Sequence, residues 1–170
     1  MGTDWAALYR EIYPDLVRFL HCKVWDAERA RDLAQEAFVR ALNHDPENPR
    51  AWLFAVASNL ARDEARSALR RRRHLALLKN DPLPAHGREV ARPDQELERA
   101  ETVSAVRRAL ESLGERDREV LLLWNGGLDY REIAKLTGLA VGAVGTTLAR
   151  ARRRLVEAFK KEEGTDAASG

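Results

Sequence analysis

Disulfide-forming, membrane-spanning and catalytic signals are all scarce in this chain. One cysteine, Cys22, stands among 170 residues, so no internal disulfide can form and the composition fits a reducing compartment. Long apolar runs are missing too. The longest, Ala51 to Ala57 and Val120 to Trp124, fall well short of the roughly 20 residues that a membrane-spanning helix needs. The N-terminal MGTDWAALYREIY has no basic region leading into an apolar stretch, so no secretory signal is read, and a soluble, cytoplasmic protein without membrane insertion is expected. His21 merely adjoins Cys22, while His44, His74 and His86 have no companion cysteines, which leaves no metal site to predict. Neither a glycine-rich phosphate loop nor a nucleophile elbow nor an HExxH segment occurs; neither catalysis nor a cofactor is expected.

What the chain does have is charge, and the charge is segregated. Lys and Arg number 29 against 27 Asp and Glu, so the sum is small while a third of all residues are charged. Arginines cluster at Arg70 to Arg73 and again at Arg150 to Arg154, and Asp94, Glu96, Glu98 and Glu101 crowd the stretch between. Two basic surfaces joined by an acidic segment follow from that distribution.

Hydrophobic residues make up 45% of the chain, and over most of it their spacing is helical. From Trp5 to Lys23, Leu8, Ile12, Leu16, Phe19 and Leu20 define a core-facing stripe, with Pro14 predicting a break or kink. Asp26 can cap a second helix that buries Ala30, Leu33, Ala34, Ala37, Phe38 and Ala41. Its other face carries Asp32, Gln35, Glu36 and Val39, a patch suited to a protein partner or simply to solvent. NHDPENP, from Asn43 to Pro49, is dense in turn residues and predicts a short shaped loop.

A third helix runs from Pro49 to Arg73. Asn59, Arg62, Asp63, Arg66, Arg70 and Arg73 recur at three- and four-residue steps along one side, while Leu53, Val56, Ala57, Leu60, Ala61 and Ala68 form the packing side. Such a stripe suits a phosphate backbone and base edges, with a solvated face as the alternative. Trp52 is expected in the core, although Trp52 or Phe54 could instead stack on an unpaired base. After Arg73 the pattern dissolves into a proline-rich stretch.

The second half begins near Asp94, where Leu97, Ala100, Val103, Val106, Leu110 and Leu113 predict a helical stripe that ends at Gly114. Asp117 to Trp124 predicts a short apolar helix. Asp129 with Glu132 then resembles a capping box opening the helix YREIAKL, and Thr137, Gly138 and Leu139 turn the chain into a helix from about Val141. Val144, Leu148, Ala151 and Leu155 hold this last helix against the one before it, the pattern of a helix-turn-helix, although a helix hairpin without DNA shares the spacing. KKEEGTDAASG is expected to fray.

Taken together, ARDLAQEAF at Ala30 to Phe38, the Pro49 to Arg73 helix behind its loop, and the Asp129 to Leu155 hairpin resemble the small two-domain sigma factors of the sigma-70 family, the extracytoplasmic-function group. The resemblance implies an all-α fold of two small helical domains. A region-2-like domain would span residues 1–75, a flexible linker 76–93, a region-4-like helix-turn-helix domain 94–160 and a disordered tail 161–170. It implies RNA polymerase core as partner through its clamp helices and flap, with Asp32, Gln35, Glu36 and Val39 at the clamp-helix contact. Promoter DNA is the second implied partner. Asn43, Asn59, Arg62, Asp63, Arg66, Arg70 and Arg73 would meet the −10 element, and Tyr130, Thr146, Thr147, Arg150, Arg153 and Arg154 the −35 element. An anti-sigma factor is the third implied partner, and no catalytic activity is implied.

One departure stands out. Where the family's recognition helix usually presents a lysine and an arginine, this chain has Gly145 and Thr147, and Gly142 lies nearby. Recognition is therefore expected to lean on Thr146, Thr147, Arg150, the helix N-terminus and groove shape. A conventional helix-turn-helix regulator would account for Asp129 to Leu155 but not for the arginine stripe. A helical interaction module without DNA function would leave both basic clusters as solvated decoration.

Overall fold

The computed structural model describes residues 2–79 and 94–167. Most of the segment expected to be a linker, 80–93, and the last residues of the tail, 168–170, lie outside the described residues. Among the described residues there are seven helices: α1 (Trp5–Val24), α2 (Ala27–Ala41), α3 (Pro49–Lys79), α4 (Asp94–Ser112), α5 (Glu115–Asn125), α6 (Tyr130–Thr137) and α7 (Val141–Ala167). No strand occurs among the described residues. The chain divides into two compact units, Met1–Arg88 and Glu89–Gly170.

In the first unit α1, α2 and α3 pack around one another. Asp4 caps α1 by accepting from the Ala7 N–H, and Asp26 caps α2 by accepting from the Arg29 N–H at 2.9 Å. Asn48 does the same for α3 through the Ala51 N–H at 3.0 Å, with Pro49 in the first turn where its missing N–H is not needed. Pro14 does not break α1, which continues through it because Ile12, Leu16, Phe19 and Leu20 are buried on both sides of it. That burial outweighs the roughly 3 kcal/mol that an internal proline costs a helix. The α2 face is buried at Ala30, Leu33, Ala34, Ala37, Phe38 and Ala41, and its four alanines let neighbouring backbones approach closely.

Two further features of this unit differ from the sequence reading. Phe54 is fully buried with its ring 5.0 Å from Phe19, whereas Trp52 is only half-buried and lies against His44. And α3 does not stop at Arg73. It continues through HLALLK, because leucine, alanine and lysine are strong helix formers even where little covers them.

In the second unit α4 and α5 pack on α7, and α6 joins α5 and α7. The buried line of α4 is Ala105, Ala109 and Leu110, continued by Leu113 just past its end, while Ala100, Val103 and Val106 are exposed. Small alanines, not the valines, thus set the close side of α4. The capping box at α6 is present in full: Asp129 accepts from the Glu132 N–H at 2.9 Å, and Glu132 accepts from the Asp129 N–H at 2.7 Å. Gly138 ends α6 at φ 73°, a left-handed conformation that glycine adopts without a Cβ penalty. Val144, Leu148 and Ala151 anchor α7. Residues 161–167 are helical, not frayed. Lysine and glutamate favour helix there, and Glu162 accepts from Arg108 of α4, which ties the end of α7 down.

Candidate nucleic-acid interface

On the first unit, the side of α3 opposite its buried residues presents Asn59, Arg62, Asp63, Arg66, Arg70 and Arg73, all exposed. Arg62 donates to the Asn59 side-chain oxygen at 3.2 Å, so the two form one polar element. The four consecutive arginines are not equivalent. Arg71 turns back to Glu64 and Ser67, leaving Arg70 and Arg73 on the exposed stripe. Glu64 also accepts from Arg29 of α2 at 2.7 Å, which fixes α2 to α3. The Arg29 hydrogen bond holds the Glu64 carboxyl below its usual range against the opposing effect of burial.

The loop before α3 is held from both sides. His44 donates through Nδ1 to the Arg40 carbonyl at 2.8 Å and sets its ring 4.9 Å from that of Trp52. Asp45 accepts from the Thr3 N–H at 3.1 Å and from the Thr3 hydroxyl. Asn43 is exposed at the start of this loop.

On α2, Asp32 and Gln35 are exposed and Val39 is 62% exposed, while Glu36 is half-buried and paired with Arg40 at 2.5 Å. Exposed Leu42 extends this patch, a residue that helical spacing did not single out. Here two carboxylates, an amide and two apolar side chains lie on one surface.

In the second unit, Tyr130, Thr146 and Arg153 are exposed. Thr147 is not. It is 5% exposed, because at this point α7 turns the 147 position with Val144, Leu148 and Ala151 toward the core; the expectation that it reads a base is corrected. Arg150 and Arg154 are engaged within the unit. Arg150 donates through Nε at 3.1 Å and Nη2 at 2.5 Å to Asp117, and Arg154 donates through Nη1 to the same carboxylate at 2.9 Å. Asp117 is buried, and the Arg150 hydrogen bonds, opposed by burial, hold its carboxyl below the usual value. In the sequence Asp117 looks like an ordinary first-turn acid; no spacing rule connects it with residues 33 and 37 positions later.

Tyr130 and Gly145 form the other contact of note. A Cβ at position 145 would lie 3.4 Å from Tyr130 Cε2 and 3.7 Å from its hydroxyl, so the phenol covers the surface that glycine leaves bare. Trp124 lies 5.3 Å from Tyr130, and the Arg152 guanidinium sits 5.7 Å from the Trp124 ring. Among the described residues, no three His, Cys, Asp or Glu side chains gather as a metal would require, and no helix is long and apolar enough to cross a membrane.

Comparison with known proteins places both units. The family model described as Sigma-70 region 2 matches residues 8–73, and that described as Sigma-70, region 4 matches residues 104–155. The chain is 31% identical over 160 residues to the RNA polymerase sigma factor YlaC of Bacillus subtilis, covering 91% of each chain. It is 32% identical over 148 residues to the ECF RNA polymerase sigma factor EcfG of Rhodopseudomonas palustris, covering 84% of this chain and 77% of that protein. Among solved structures it is similar to CnrH in complex with the cytosolic domain of CnrY, with a TM-score of 0.63 and 26% identity over 92% of this chain and 88% of that one.

Proposed function

The chain belongs to the sigma-70 family as an RNA polymerase sigma factor of the extracytoplasmic-function group, and on that premise we propose how its two units divide the work of promoter recognition. The first unit, through residues 1–75, binds core polymerase by the α2 patch of Asp32, Gln35, Glu36 and Val39. It captures the −10 element with α3 and the loop at Asn43. The second unit, through residues 94–160, reads the −35 element with α6 and α7. Polymerisation belongs to the core enzyme; this chain contributes binding energy and no catalytic step.

The observation that carries this reading is the α3 stripe: six polar side chains exposed on one helix whose opposite side is the core of its unit, behind a loop pinned at both edges. Strand separation needs no chemistry from such a surface. A site that binds the unpaired strand better than the duplex shifts the melting equilibrium by its differential affinity. Asn59, Arg62 and Asp63 face the bases, with Arg66, Arg70 and Arg73 toward phosphates. In the second unit Tyr130, Thr146, Arg150, Arg153 and Arg154 remain the −35 residues, and Thr147 serves the core.

A cytoplasmic location follows from the partner, and an anti-sigma factor is the regulator we propose by likeness to CnrH, which was solved with a bound protein domain. Run-off transcription with purified core polymerase tests the whole reading. Promoter-dependent transcripts that require this chain are expected. Binding of duplex DNA without promoter-dependent initiation would favour a conventional helix-turn-helix regulator instead.

A further inference from the structure

We propose that Asp117 is a positioning residue for −35 recognition: from beneath, it fixes the guanidinium groups of Arg150 and Arg154 so that they read a set geometry instead of collecting phosphates indiscriminately. This rests on the reading of α6 and α7 as the −35 interface. The geometry is unusually complete for an acid that helical spacing marks only as a first-turn residue. The Asp117 side chain is 4% exposed, while those of Arg150 and Arg154 are 41% and 54% exposed. Its Oδ2 accepts from Arg150 Nε at 3.1 Å and Arg154 Nη1 at 2.9 Å, and its Oδ1 accepts from Arg150 Nη2 at 2.5 Å. Of the five N–H donors on a guanidinium, two on Arg150 face Asp117, which leaves three for a ligand. The acid thus grips the inner edge of Arg150 and leaves its outer edge available.

Four physical arguments separate this from a mere fold brace. An ion pair whose arginines are half-exposed gives little net stability, so stability alone is a weak reason for a carboxylate here. Held side chains, by contrast, have already lost the rotamer freedom that binding would otherwise remove. Arg150 also lies one helical turn beyond exposed Thr146, so the fixed guanidinium and the hydroxyl share one side of α7. Asp117 further cancels one of two positive charges, which reduces sequence-independent attraction to DNA.

The test uses the full chain and a duplex that the wild-type protein selects from a random-sequence library, beside the same duplex with its base order scrambled. Asp117→Asn is expected to lower the ratio of selected to scrambled affinity by at least about fivefold, the range of one bidentate base contact. The slope of log affinity against log salt should steepen by about 1 as arginines are released to phosphates. Arg150→Lys should lower the ratio similarly, and the double variant should fall no further than Arg150→Lys alone. A parallel loss of affinity for both duplexes at unchanged ratio and slope would mark Asp117 as a fold brace and overturn the proposal. So would full additivity in the double variant. Should Asp117→Asn fail to fold, Arg150→Lys together with Arg154→Lys carries the test, and an unchanged ratio there overturns it as well. If the wild-type chain selects no sequence, the −35 reading itself fails, which is a different result from selection that ignores Asp117.

Discussion

Replacing Asn59 and Arg62 together by alanine should abolish initiation while leaving the first unit folded and bound to core polymerase. Both side chains are exposed and hydrogen-bonded to one another at 3.2 Å, so removing them strands no buried polar group. Surface changes of this kind stay within about 0.5 kcal/mol of the starting stability, and alanine is the better helix former at both positions. Binding should respond very differently. Contacts to unpaired bases contribute about 1–3 kcal/mol each, and two coupled neighbours together about 2–4 kcal/mol, or about 30- to 900-fold in affinity for the −10 strand. Because Asn59 orients Arg62, the two single variants should sum to more than the double. The measurements are fluorescence anisotropy with single-stranded −10 DNA, run-off transcription, and a separate titration of core polymerase. Loss of core binding in step with loss of strand binding would show that this face of α3 has been misassigned. Unchanged strand affinity in a folded double variant would refute the base-reading role outright.

Further outcomes follow from other parts of the structure. Phe54→Ala, at a fully buried ring packed on Phe19, should cost about 3–5 kcal/mol and weaken core and −10 binding together, which thermal unfolding beside the same titrations would separate from the Asn59 and Arg62 pattern. Glu64→Gln should destabilise the first unit by about 1 kcal/mol at neutral pH, a modest value because Arg29 and Arg71 are substantially exposed. Since the Glu64 carboxyl is held below its ordinary 4.5, its contribution is present above that pH and is lost as pH falls through the lowered value, so the melting curves of wild type and variant should converge in acid. Gly145→Lys should tighten binding to matched and scrambled −35 duplexes alike by adding a phosphate contact, with its Cβ in ordinary contact with Tyr130; no gain on either duplex would mean that position 145 does not face DNA.

Local patterning carried much of this architecture. The alternation that buries Ala30, Leu33, Ala34, Ala37, Phe38 and Ala41 and exposes Asp32, Gln35 and Val39 depends only on the helical period, and the structure shows the same faces. The capping box at Asp129 and Glu132 and the glycine turn at Gly138 are likewise local, since their hydrogen bonds span three or four residues. The α3 stripe was legible for the same reason.

Where two elements had to be matched, sequence fell short. Val103 and Val106 look like the packing side of α4, yet alanines at 105 and 109 take that place, because the distance between helices and not hydrophobicity alone selects the buried line. Thr147 falls among the groove-facing positions of a family pattern but is rotated into the core by its neighbours Val144 and Leu148. Asp117 meets Arg150 and Arg154 only after α5 and α7 pack, as Glu64 meets Arg29 only after α2 and α3 do. The sequence by itself therefore determined where most of the helices lie, the caps of α2 and α6 and the outward faces of α2 and α3, all properties of a few neighbouring residues. Tertiary structure alone decided which charges are free to meet DNA and which are already held, because an ion pair between distant residues exists only once packing has brought them within a few ångströms.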